Sequence, residues 1–140
     1  MSKQIRDLRY LYPPFRKKVE TLLSRLGPDW MVIETYRTLD RQQELYRQGR
    51  ETPGPIVTWT LRSKHIIGLA VDIVPEKDGR PWWDAPHERW QALGRMAEGL
   101  GLVWGGRFKS PDCPHVEMAA SSAIQRQARA HVSAMKEGSQ

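Results

Sequence analysis

A chain of 140 residues with 39% hydrophobic and 27% charged residues has the length and balance of one soluble folded domain, and nothing in the composition suggests disorder. The single cysteine, Cys113, excludes an internal disulfide, and no stretch nears the roughly 20 apolar residues of a membrane span. The formal charge of +6 and the pI of about 9.8 favour anionic partners such as nucleic acid, lipid or cell-envelope polymers, but the basic residues are scattered and suit a mildly charged solvated surface equally well.

The N-terminus, MSKQIRDLRYLYPPF, lacks the apolar core of a secretory signal, so the expectation is synthesis and folding in the cytoplasm, with release by another agent for any role outside. Pro13-Pro14 open a helix whose inward face is Phe15, Val19, Leu22, Leu23 and Leu26, and Gly27-Pro28 end it. Met31 to Tyr36 is rich in strand formers, with Arg37 at its end. Thr38 or Asp40 caps a second helix, Leu39 to Gln48, and Gly49 lies beyond it. Residues 50–64 read as a long functional loop holding one strand-like piece, Ile56 to Trp59.

Gly68 to Val74 predicts a strand with Ala70, Asp72 and Val74 on one face and Leu69, Val71 and Ile73 on the other. Gly79 to Trp83 is a loop. Asp84 and Pro86 open a third helix with Trp90, Leu93, Ala97 and Leu100 inward, ended by Gly101. Leu102 to Trp104 is a strand turned at Gly105-Gly106, and His115 to Met118 is another. Ser121 to Lys136 is a final amphipathic helix with Ile124, Ala128, Val132 and Met135 on one face. Mixed helices and short strands imply an α+β fold with a small, mostly antiparallel sheet flanked by helices.

Asp72 is out of place in the apolar run Leu69 to Val74, because a buried carboxylate is costly unless it is paired or bound to a metal. His65 lies seven residues earlier, and a turn at Gly68 returns its imidazole over the Asp72 face. His115 begins another apolar strand. Two imidazoles and a carboxylate suit zinc at an open site; the alternative is an Asp72 paired with a buried arginine, beside ordinary histidines.

The pattern Ser63-x-His65-x-x-Gly68-x-Ala70-x-Asp72, then Asp112-x-x-His115-x-Glu117, resembles the M15 family of zinc peptidases. Tyr36-Arg37-Thr38, Arg41-Gln42, Leu45-Tyr46, Gly49-Arg50, Pro53-Gly54-Pro55 and Val57-Thr58 extend the likeness to the L-alanyl-D-glutamate endopeptidases of phage lysins, over roughly residues 10 to 120. The resemblance implies the fold shared by D-Ala-D-Ala peptidases and hedgehog domains. It implies one zinc ion per chain held by His65, Asp72 and His115, and Asp112 as the acid–base residue. Arg37 is implied as a substrate-binding and oxyanion-stabilising cation, Ser63 as a substrate neighbour, and Glu117 as the partner that orients a ligand histidine. Each has a plainer alternative: Asp112 as a turn cap, Arg37 as a structural ion pair, Ser63 as a loop hydroxyl bonding backbone, Glu117 as a surface residue.

The implied activity is hydrolysis of the peptide part of peptidoglycan by residues 1–140 acting as one catalytic domain. A monomeric phage or prophage lysin reaching the periplasmic wall after release is the expectation, with no wall-anchoring domain and no nucleic acid as partner. The basic final helix, with Arg126, Arg129 and Lys136, either meets the anionic envelope or simply closes the core. A D-Ala-D-Ala carboxypeptidase or dipeptidase, and a non-catalytic wall-binding module, are the competing functions; the Asp112-x-x-His115 spacing favours the endopeptidase, since the dipeptidase branch resembles Glu-x-x-His. Cys113 is read as a free thiol, and His87 and His131 as surface residues. Among the six tryptophans, Trp90 and Trp104 fit the core, while Trp59, Trp82 and Trp83 either line a substrate groove or pack beneath loops.

Overall fold

The computed structural model describes residues 2–138. Helix α1 (Pro13–Leu26) starts on two prolines, whose fixed φ suits the first turn, and stops at Gly27, where φ is +87°. It buries Phe15, Val19 and Leu22. Strand β1 (Trp30–Glu34) follows, then α2 (Leu39–Arg47), capped by the Thr38 hydroxyl, which accepts from the Arg41 amide at 3.1 Å. Strand β2 (Ala70–Lys77) is the sheet's centre. Short β3 (Arg80–Pro81), helix α3 (His87–Gly99), β4 (Val103–Trp104), β5 (His115–Glu117) and α4 (Ser122–Gly138) complete the order.

The sheet runs β1-β2-β5-β4, with β3 hairpinned onto the far end of β2, and every pairing is antiparallel. The expected α+β fold with helices around a small antiparallel sheet is therefore present. Val71 and Ile73 of β2 join the core with Phe15 and Leu22 of α1 and Trp90, Leu93 and Ala97 of α3. Asp72 alternates to the opposite face. A bulge in β1 sets what lies beside it: the register shifts between Val32 and Glu34, so that Val32 pairs Ile73 while Glu34, rather than Ile33, pairs Asp72. On the other edge His115 pairs Asp72. Glu34, Asp72 and His115 thus form one cross-strand row.

Several expectations change. No strand forms at Ile56–Trp59, where Ile56, Val57 and Trp59 are exposed. Pro53 and Pro55 remove backbone donors just before this segment. Side chains meet carbonyls in and beside it instead, with Arg50 donating to Thr58 O at 3.2 Å, the Gln42 amide to Thr60 O at 2.6 Å and Gln48 to Pro55 O at 2.9 Å. Strand β1 ends two residues early because the Thr35 amide turns to the carbonyl of Ile5, at 2.6 Å. The expected loop after Gly79 contains β3, because Asp78 and Gly79, both at positive φ, make a tight hairpin turn. Helix α4 buries Ala128 and Val132 against the body, so it does close the core, and it leaves Arg126 and Arg129 exposed.

Candidate functional site

His65 sits on a short 3-10 helix, Lys64–Ile67, which the sequence did not reveal. The Ser63 hydroxyl caps it by accepting from the His65 amide at 3.1 Å. Gly68 ends it in the left-handed region, at φ +70°, where a Cβ would also collide with the carbonyl of Tyr10. The buried His65 ring donates from Nδ1 to the carbonyl of Thr35, 2.8 Å away. That bond leaves the Nε2 lone pair facing Asp72 Oδ1, at 3.2 Å.

The same logic, reversed, holds His115. Its Nε2 bonds Glu117 Oε1 at 2.7 Å, which turns Nδ1 toward Asp72 Oδ1 at 3.6 Å. Glu117 is itself held by the Lys64 ammonium at 2.8 Å. One ligand atom from each of His65, Asp72 and His115 lies within 4.8 Å of the others. Two outward-anchored imidazoles aiming lone pairs at a shared carboxylate form a donor set suited to zinc with a position left open. Burial opposes charge on both Asp72 and His115, but their mutual attraction and hydrogen bonds win. Asp72 is held far below the usual carboxylate range, and His115 is pushed up to about 9, so an arriving cation displaces a proton at neutral pH.

Asp112 lies at the mouth of the site, with Oδ2 at 3.8 Å from His115 Nδ1 and a side chain 53% exposed. Its loop is pinned from within: the Asp112 amide donates to Gly105 O at 2.8 Å, and Trp104 Nε1 donates to Cys113 O at 2.7 Å. Gly105 is required there, because a Cβ would run into the Asp112 carbonyl and His115 Cβ. Desolvation by the cleft walls, and then the charge of Asp72, raise the Asp112 pKa. A carboxyl raised this way holds a proton more readily than a free one, as an acid–base group requires.

Arg37 follows β1 and reaches the same place. Its guanidinium donates to Glu34 Oε1 at 2.7 Å and to Gln42 Oε1 at 2.8 Å, and lies 3.7 Å from Asp72 Oδ2. Both the structural ion pair and the position beside the metal cluster are therefore present. Arg41 also bonds Glu34, at 2.5 Å. Sequence reasoning missed Glu34 and Gln42, both buried. The signal for Glu34 was available: like Asp72, it is a lone acid in a strand-forming run.

These groups line an open cleft of about 970 Å³. Ser63, Trp59, Trp83 and Phe108 also line it, whereas Trp82 lies outside, beneath Lys77 and Arg89. Trp90 and Trp104 are in the core. Cys113 is a half-buried free thiol outside the His65–Asp72–His115 group. His87 is exposed, and His131 donates to the carbonyl of Arg9 at 2.7 Å.

The chain resembles known proteins over most of its length. A family profile of the M15 peptidases, described as D-alanyl-D-alanine carboxypeptidase, matches residues 57–118, the segment carrying both histidines, Asp72, Asp112 and Glu117. The peptidoglycan L-alanyl-D-glutamate endopeptidase CwlK of Bacillus subtilis is 34% identical over 122 residues, covering 77% of this chain and 73% of that protein. The chain belongs to the M15 peptidase family. Within that family, the L-alanyl-D-glutamate peptidase of Listeria phage A118 is 29% identical over 93 residues, 65% of this chain and 31% of that longer protein. The crystal structure of the Serratia marcescens L-Ala D-Glu endopeptidase ChiX superposes with a TM-score of 0.62 at 31% identity, covering 80% of this chain and 83% of that one. The vancomycin-resistance D,D-dipeptidase VanXYg, at 17% identity and a TM-score of 0.58 over 93% of this chain and 55% of that one, shares the M15 fold.

Proposed function

We propose that this M15 chain is a zinc-dependent peptidoglycan endopeptidase that hydrolyses the L-alanyl–D-glutamate bond of the stem peptide. The observation that carries the reading is the convergence of His65 Nε2, His115 Nδ1 and the Asp72 carboxylate at one point, with Asp112 beside them, on the wall of an open cleft. Similarity to L-alanyl-D-glutamate peptidases from two bacteria and a bacteriophage supports that bond over others. The phage relative supports a phage or prophage lysin as the setting. The described residues form the catalytic unit, acting as a monomer on the wall, and the +6 charge favours approach to the anionic envelope. No described helix is long and apolar enough to cross a membrane.

His65, Asp72 and His115 would hold the zinc, with Glu117 and the Thr35 carbonyl keeping the two imidazoles in their ligating tautomers. Zinc bound there would supply Lewis acidity toward the scissile carbonyl and toward water. Asp112 accepts a proton from the attacking water at a carboxylate oxygen and returns it to the departing D-glutamate nitrogen. Water's hydroxyl ends on the L-alanine carbonyl carbon and its proton on the new amine. Arg37, fixed by Glu34 and Gln42, presents a cation to the negative charge that develops on the carbonyl oxygen. Ser63 contributes through the His65 loop that its hydroxyl caps.

The family profile's description keeps a second reading open, release of terminal D-alanine. Digestion of purified peptidoglycan by the zinc-loaded protein, read by mass spectrometry and end-group labelling, separates the two. New D-glutamate amino termini that a chelator abolishes establish the endopeptidase. Freed D-alanine or its dipeptide transfers the chain to the carboxypeptidase or dipeptidase branch. Absence of any product from a zinc-loaded protein leaves a wall-binding module.

A further inference from the structure

Exposed aromatic side chains become informative when they gather on one concave surface. Trp59 is 67% exposed and Trp83 is 56% exposed, and both line the catalytic cleft. Neither is a loose surface ring. Trp83 stacks on Trp90 with ring centroids 6.3 Å apart and planes 22° from parallel. Trp90 is itself buried and meets Trp30 edge-on at 6.5 Å, so Trp83 is tied to the core through two further indoles. Trp59 is backed by the Arg50 guanidinium at 5.6 Å. Arg50 in turn lies 3.9 Å over the Tyr46 ring and donates to the carbonyls of Tyr46 and Thr58, at 2.7 and 3.2 Å. Each indole therefore has a protein support on one side and retains open surface on the cleft. Rings held this way are preorganised for a flat, partly apolar ligand.

We propose that Trp59 and Trp83 form a sugar subsite of the cleft, stacking on the N-acetylated amino sugar that carries the stem peptide. This rests on the endopeptidase reading, which also says where such a sugar must be. In peptidoglycan the L-alanine is the residue joined to the sugar, so only one amino acid separates the scissile bond from the glycan. A substrate seated at Asp72 and Asp112 brings that sugar into the same cleft. The volume of about 970 Å³ is at the upper end for a small-molecule site and leaves space beyond a dipeptide. Sugar rings present C–H faces of the kind that indoles cover, and the supported geometry costs little ordering on binding.

The test compares two substrates of the zinc-loaded protein, a muramyl-linked stem peptide and the same peptide with a free L-alanine amine. The wild type is expected to favour the muramyl substrate in kcat/KM by about tenfold or more, as one or two added aromatic contacts imply. Trp59→Ala and Trp83→Ala are each expected to bring that ratio toward one. A ratio near one in the wild type, or an unchanged ratio in both variants, overturns the subsite. Titration with the peptide-free disaccharide, followed by tryptophan fluorescence, reads binding without cleavage. The expected result is a saturable change in the wild type that weakens in Trp59→Ala, and no change at millimolar sugar overturns the subsite. Wild-type protein that cleaves neither peptide refutes the endopeptidase reading, while the titration still decides whether sugar binds.

Discussion

Glu34 and Asp72 face each other across the β1–β2 pairing, yet the fold treats the two carboxylates in opposite ways. Glu34 is taken by two guanidiniums, Arg37 at 2.7 Å and Arg41 at 2.5 Å. Asp72 is left with two imidazoles, while Arg37 stays at 3.7 Å. Adjacent buried acids would repel one another, so placing both arginines on Glu34 frees Asp72 for a metal without losing the charge balance of the row.

Replacing Glu34 therefore strands one buried cation, Arg37, and one half-buried cation, Arg41. Glu34→Gln is expected to destabilise the fold by about 3–5 kcal/mol, measured by urea unfolding. Burial raises the Glu34 pKa, but the bonds to Arg37 and Arg41 outweigh it, and the net shift is downward. A lowered native pKa means a contribution that is complete above the ordinary value of 4.5 and is lost as pH falls through the native value. The variant should accordingly show a shallower loss of stability below about pH 4.5 than the wild type. Equal acid slopes in the two proteins would remove Glu34 from that account.

His65→Ala is expected to lose zinc and activity together. The side chain supplies one of three donors and is fixed by its own bond to the Thr35 carbonyl, so no neighbour can replace it. Metal content of the dialysed variant is the direct check, and stoichiometric zinc would reject the assignment.

Asp112 should separate from the metal site. Its side chain is half exposed on a loop pinned through backbone bonds, so Asp112→Asn is expected to fold and to bind zinc normally. Turnover should fall about 10²- to 10⁴-fold, the usual worth of a positioned acid–base group. Near-wild-type kcat would show that another group moves the proton.

Glu117 acts through His115. Glu117→Gln weakens the anchor on Nε2 and releases Lys64 from its carboxylate. Zinc affinity is expected to drop about 10- to 100-fold, by competition with a chromophoric chelator, and excess zinc should restore most of the activity. Unchanged affinity would make Glu117 a bystander at the rim.

Much of the site was legible because its chemistry conflicts with its surroundings. Asp72 among five apolar neighbours, and histidines at the start of one strand and before Gly68, are visible without coordinates. The helix faces were equally clear, since Phe15, Val19 and Leu22, or Trp90, Leu93 and Ala97, repeat at the spacing that one helix side requires. The piece at Ile56–Trp59 misled because strand-forming residues do not make a strand without an edge to pair with, and side chains from α2 and its C-cap bind the flanking carbonyls instead.

The sequence by itself determined the fold class, the family and the residue types that can hold zinc, because these follow from periodicity, capping and ordered motifs along the chain. Only the tertiary structure decided which nitrogen of each histidine faces Asp72, which acid the arginines neutralise, and which tryptophans open onto the cleft. Those outcomes depend on contacts between segments distant in the chain: Thr35 with His65, the β1 bulge with Asp72, Trp83 with the buried Trp90. A linear pattern records which groups are available, but the direction in which each one points is fixed when the strands take their register.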